Sequence, residues 1–132
     1  MRNLKYFSLL MAAGMFAAIF AAYNGNEVHL FEKNEKLGKK LYITGKGRCN
    51  ITNASDMETL FQSVVTNSKF LYSSFYGYTN QDTIDFFERI GVETKIERGN
   101  RVFPVSDHSS DVIAGLTREL RNLGVEIHLY SE

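Results

Sequence analysis

The sequence predicts an α/β fold whose first unit is a strand, a helix and a second strand running in parallel, and three observations carry that prediction. Residues 4–10 (LKYFSLL) have the composition of a short strand, residues 12–23 form an apolar, alanine-rich run closed by Asn24 and Gly25, and residues 27–32 (EVHLFE) alternate and end on a carboxylate. Strand, helix and strand within about 30 residues is the size of a βαβ unit. A parallel pair covered by the helix is then the simplest arrangement.

The helix is expected to stop at Asn24-Gly25 because both residues tolerate the left-handed conformation that ends helices. Gly14, Ala17, Ala18, Ala21 and Ala22 give it a small-residue face suited to lying close against a sheet. A competing reading exists for the same stretch. Residues 1–22 place Arg2 and Lys5 ahead of an uncharged apolar run ending in small residues, which is the composition of a secretory signal. The packed helix is preferred, because the run leads directly into the turn and strand of NGNEVHLFEK. It is also a little short for a membrane span.

Beyond residue 54 the pattern changes. Ser55 is positioned to cap a helix with apolar residues at Met57, Leu60, Phe61, Val64 and Val65, and further helices are expected over residues 68–76 and 80–90, the latter stopped by Gly91. The aromatic residues Phe70, Tyr72, Phe75, Tyr76 and Tyr78 are read as packing of this small helical region in preference to a binding platform. Residues 92–96 and 101–105 look like a hairpin turning at Gly99-Asn100. Asp107 or Ser109 is placed to cap a helix that stops at Gly124, and residues 125–130 (VEIHLY) read as a last strand. The organisation is thus a βαβ unit and loop over 1–54, a helical segment over 55–91, and a hairpin, helix and further strand over 92–132.

The 132 residues suffice for one core, and 44% of them are hydrophobic. Fifteen basic residues balance fifteen acidic ones, so no bulk field draws the chain to nucleic acid or an acidic membrane, and neither is expected as a partner. The single cysteine excludes an internal disulfide and is compatible with a reducing cytoplasm, the expected location. Three scattered histidines, His29, His108 and His128, have neither metal-ligand nor triad spacing and receive no role.

The stretch GKGRCNITN, residues 45–53, concentrates the chemistry. Glycines allow backbone N–H groups to approach an anion, while Arg48, Asn50 and Asn53 offer directional hydrogen bonds; a polar surface loop is the plainer reading of the same composition. In a dinucleotide-binding βαβ unit an acidic residue about 20 positions beyond a glycine turn binds the ribose hydroxyls, and Glu32 stands where that acid belongs. The glycine turn itself departs from the pattern. If Gly14 is its third glycine, the first two positions are Leu9 and Met11.

The segment GMFAAIFAAYNGNEVHLFEKNEKLGKKLYITGKGRCNITNAS, and later RVFPVSDHSSDVIAGLTREL, strongly resemble bacterial NAD(P)/FAD-dependent oxidoreductases of the aminoacetone-oxidase-like FAD-binding family, from residue 14 to the end. The resemblance implies a Rossmann-like FAD-binding domain, here incomplete, with FAD as cofactor, NAD(P)H as electron donor in the full-length family, and an unknown small-molecule substrate. It places Glu32 on the adenosine ribose and the helix start at Gly14 near the pyrophosphate. Gly45, Gly47, Arg48, Cys49 and Asn50 then approach the flavin side, Thr52 and Asn53 fix the loop, and Lys33 and Lys40 add positive charge, although a solvated basic face is the commoner role for lysines such as Lys39 and Lys40. Cys49 is read as a packing or flavin-contact residue and not as a nucleophile. Family members begin with a Gly-Gly-Gly-Pro-Ala-Gly turn where this chain has LLMAAG, and they continue through a substrate-side domain. The chain is therefore read as the N-terminal part of such a protein, inactive as an isolated enzyme; an inactive remnant and a small exported domain are the alternatives.

Overall fold

In the computed structural model residues 11–131 are described. The expected strand over residues 4–10 lies outside them, as does Leu9.

Helix α1 (Met11–Tyr23) opens the described chain and strand β1 (His29–Phe31) follows. The helix stops where the sequence expects. Gly25 takes a φ of +76° and donates to the Ala22 carbonyl, and the Asn24 side chain donates to Phe20 O at 2.8 Å. Strand β5 (Glu126–His128) lies beside β1 in parallel, with His29 opposite Glu126 and Phe31 opposite His128. The parallel neighbour of β1 among the described residues is therefore the last strand. Its similar sequence, IHLY against VHLF, reflects two strands of one sheet that pack the same face inward.

A second sheet is antiparallel, in the order β2 (Thr52–Asn53), β4 (Arg101–Pro104), β3 (Thr94–Glu97). The hairpin turns through residues 98–100, where Gly99 and Asn100 both adopt positive φ. Along the chain α2 (Met57–Gln62), α3 (Tyr72–Gly77) and α4 (Asn80–Arg89) connect β2 to β3, and α5 (Ser109–Asn122) leads from β4 into β5.

Two capping expectations are corrected. Asp56, not Ser55, caps α2 by accepting from Thr59 N at 2.8 Å, while the Ser55 hydroxyl accepts from Asn100 Nδ2. At α5 neither Asp107 nor Ser109 caps: His108 precedes the helix without a side-chain bond, Ser109 donates to Tyr42 O, and Asp107 is bound to cations from two other segments. An ion pair outcompetes a cap for the same carboxylate because both its partners are charged.

The core lies between α1, α4, α5 and the β1–β5 pair. Met15, Ile19 and Leu120 are fully buried, and with Val28, Leu30, Phe86, Val92 and Leu116 they form one cluster. Each such side chain contributes about 1.5–3 kcal/mol through burial. Met15, Ala18 and Ile19 thus use α1 as a core helix, as the packed-helix reading requires. Among the described residues no helix is long and apolar enough to cross a membrane.

Aromatic residues divide into two groups. Phe61, Tyr72, Phe75 and Tyr76 pack on one another, with ring centroids 4.5–5.7 Å apart. Tyr78 instead joins Phe16 and Phe20 of α1. Both groups are packing, in line with the sequence reading, except that Phe70 is 78% exposed and joins neither.

Gly115 marks the tightest crossing. A Cβ there would stand 2.4 Å from Val92 Cγ2, a buried side chain at the start of the hairpin. Gly115→Ala is expected to lose about 1–2 kcal/mol, overpacking outweighing the gain in helix propensity. Urea denaturation of the variant would show it as a lower midpoint with unchanged slope; a higher midpoint would mean that α5 can slide away from Val92.

Candidate functional site

Glu32 is fixed from two directions. Its N–H donates to His128 O at 2.8 Å and its carbonyl accepts from Ser131 N at 3.0 Å, so parallel pairing continues past the strands and holds the backbone. Its Oε1 accepts from Asn34 N at 2.8 Å and from Asn34 Nδ2 at 2.6 Å. Glu32 is only 8% exposed and, with Ser109, is one of two buried polar or charged residues among those described. A carboxylate aligned at the carboxyl end of a parallel strand is well placed to accept from a ligand's hydroxyl pair.

The 45–53 loop is folded inward on itself. Gly45 and Gly47 adopt φ of +55° and +85°, as do Lys46 and Cys49 at +56° and +59°. At Gly45 a Cβ would lie 2.9 Å from Asn50 N, so the glycine is required by the loop's own closure. Arg48 N and Cys49 N close the turn on the carbonyls of Gly45 and Thr44. Cys49 is 4% exposed in the core cluster, and burial pushes its thiol up from the ordinary value, which suits packing and opposes a nucleophilic role.

Asn50, Thr52 and Asn53 zip the loop to its neighbours. With the Asn50 amide assigned so that its nitrogen faces the two carbonyls, it donates to Thr52 O at 3.0 Å and Val102 O at 3.2 Å. Thr52 and Asn53 pair with Val102 and Arg101 of β4, and Asn53 Nδ2 donates to Gly99 O at 2.9 Å.

Arg48 is engaged within the protein. Its Nε donates to Asp107 Oδ1 at 2.9 Å, its Nη2 reaches both Asp107 and Glu97, and the guanidinium lies 4.2 Å from the Phe103 ring centre. Lys95 Nζ bridges the same two carboxylates, at 2.6 Å from Asp107 and 3.4 Å from Glu97. Hydrogen bonds from Arg48 hold Glu97 below the usual carboxylate range, and those from Lys95 and then Arg48 do the same for Asp107. This cluster of two cations and two carboxylates pins the loop to β3 and to the turn that follows β4.

The remaining candidates are dispersed. Gly14 is buried inside α1, after the helix has already begun at Met11, so it is not the helix start. Lys33 and Lys40 are exposed, and Lys39 pairs with Glu35 at 3.2 Å. A groove of about 960 Å³ between residues 35–42 and the α5–β5 face is lined by Leu37, Tyr42, Ile113 and Ile127, and none of residues 45–53 lines it.

Residues 11–132 match the HI0933-like protein Rossmann domain. The chain belongs to that family. This HI0933-like domain is 34% identical over 119 residues to a 3-dehydro-bile acid delta(4,6)-reductase of Clostridium scindens, covering 89% of this chain and 28% of the relative. It is 30% identical over 121 residues to ribosomal RNA dihydrouridine synthases of Haemophilus influenzae and Escherichia coli, covering 92% of this chain and 29% and 30% of theirs. The chain thus spans less than a third of the length of these curated relatives. The Rossmann expectation and the membership of an FAD-dependent oxidoreductase superfamily stand on this match.

One grouping in the HI0933-like domain is absent from the sequence reading. His29 and His128, 99 residues apart, meet across β1 and β5 with Nδ1 and Nε2 3.1 Å apart, beside Glu126. Only the strand register reveals it; a parallel partner for EVHLFE in VEIHLY would have been the signal to look for.

Proposed function

We propose that this domain supplies the adenosine-side part of an FAD site in a flavin-dependent reductase. The observation that carries the reading is Glu32, a buried carboxylate immobilised by Asn34 at the carboxyl end of β1. The donor set fits in part. Glu32 fits a ribose diol, and Gly47, beside which a Cβ would meet only Tyr42 O at 3.8 Å, leaves room for a close backbone approach. Arg48 suits a phosphate poorly, because its Nε and Nη2 already donate to Asp107 and Glu97, which balance its charge, so its role is to position the loop. Lys33 and Lys40 offer mobile positive charge toward phosphate.

A bound flavin supplies hydride and electron transfer; this chain supplies binding and orientation. The family match and the printed names of the relatives, one a reductase and two dihydrouridine synthases, support a reductive role. A small-molecule substrate is preferred over ribosomal RNA, since fifteen basic and fifteen acidic residues give this part no net field toward a polyanion. NAD(P)H as donor and a cytoplasmic setting complete the proposal.

Glu32→Gln tests it. Glutamine keeps an acceptor for Asn34 but loses the charge, so FAD affinity of the 132-residue chain is expected to fall about 10- to 100-fold, the worth of a hydrogen bond to a charged acceptor. Fluorescence titration with FAD would measure this. Equal affinity in both proteins, or no flavin retained by the parent chain after desalting, would overturn the reading.

A further inference from the structure

We propose that His29, Glu126 and His128 form a binding site for a divalent transition-metal ion of the zinc class, on the face of the β1–β5 pair turned away from α1 and α5. Strand alternation puts them there. Leu30 and Ile127 point into or against the core, so their neighbours His29, Phe31, Glu126 and His128 share the opposite face.

The distances suit an ion. His29 Nδ1 and His128 Nε2 are 3.1 Å apart, and Glu126 Oε2 is 3.3 Å from the first and 3.7 Å from the second. Ligand atoms of a tetrahedral ion bound at about 2.0–2.1 Å stand about 3.3–3.4 Å from one another. A histidine pair joined only by an interstrand hydrogen bond would need no third donor within reach of both nitrogens. Two imidazoles and one carboxylate also form a recognised ligand set, which leaves a fourth position for water.

The surroundings hold the site in place. His128 lies against the Phe31 ring, with centroids 4.6 Å apart and planes 14° apart, and the His29 side chain is only 19% exposed. Without metal, one of the two facing nitrogens carries the proton of the shared hydrogen bond. On binding, both nitrogens present lone pairs, the proton moves to the outer nitrogen of its own ring, and no change of oxidation state is involved. Rotation of the imidazoles about their χ2 angles turns those lone pairs from each other toward the common centre.

The site is independent of Glu32 and of flavin. Its test uses the 132-residue chain with Co²⁺ alone, followed by visible absorption, and with Zn²⁺ in competition. One ion per chain is expected, with visible bands of a low-coordinate cobalt centre that Zn²⁺ removes. His128→Gln and Glu126→Gln are each expected to weaken binding at least about tenfold, whereas His108→Gln, at an exposed position outside the cluster, leaves it unchanged. Glu126 is 61% exposed, so its variant keeps the test valid if His128→Gln proves unstable. Absence of saturable binding at metal concentrations well above that of the protein would overturn the site. So would binding that survives Glu126→Gln or is lost in His108→Gln.

Discussion

Phe86→Ala is expected to remove about 3–5 kcal/mol of stability, the usual consequence of emptying a buried aromatic site. Phe86 is 1% exposed and is the meeting point of α4 and α1: its ring lies 4.8 Å from Phe16, 5.7 Å from Phe20 and 5.2 Å from Phe87. The edge-to-face contacts with Phe16 and Phe87 add to the burial itself. Surrounding backbone is held by the Thr79–Asp82 capping box at one end of α4 and by Arg118, which donates to Ile90 O at 2.6 Å, at the other. The cavity therefore cannot collapse cheaply. Domains of this size have about 5–15 kcal/mol in total, so the variant should unfold at much lower urea concentration. Tyr76→Ala, at a half-exposed ring of the outer aromatic group, serves as the comparison and is expected to cost far less. Similar losses in the two variants would show that α1 is not joined to the fold through Phe86.

How much of this was legible depends on range. The stop of α1 at Gly25, the start of α4 at Asn80 and the turn at Gly99-Asn100 are set by residues within a few positions of one another, and composition and periodicity report them directly. The position of Glu32 at the end of β1 was legible for the same reason, since the helix stop at Gly25 and the alternating EVHLFE run that precede it are local. Arg48 was not. Its partners Glu97 and Asp107 lie 49 and 59 residues away, and a sequence scan sees only an arginine between glycine and cysteine, a composition that invites a ligand. His29 and His128 repeat the lesson across 99 residues. Asp107 shows the converse error: it has the local signature of a helix cap, yet its carboxylate goes to Arg48 and Lys95 because charged donors reach it from the loop and the hairpin.

The second large effect is expected from Arg48→Met, which keeps a stem to pack on Phe103 but leaves Glu97 and Asp107 with Lys95 alone. Two carboxylates sharing one cation repel, so the 45–53 loop should loosen from the hairpin, lowering the thermal midpoint by several degrees at neutral pH. The pH dependence has a definite sign. Both carboxylates are held below their ordinary values of 3.8 and 4.5, so the stability they contribute is present above those values and is lost as pH falls through the depressed ones. Glu97 owes its shift first to Arg48, whereas Asp107 owes its own first to Lys95. The gap between parent and variant should therefore be widest at neutral pH and close in acid, chiefly as Glu97 takes up its proton. Raising salt should narrow it as well, since the four side chains are 29–40% exposed and open to screening. Thermal melts of both proteins at neutral and acid pH, each at low and high salt, would check this. A gap independent of pH and salt would mean that Arg48 holds the loop by its contact with Phe103 and not by charge, and the assignment of a positioning role through Glu97 and Asp107 would fall.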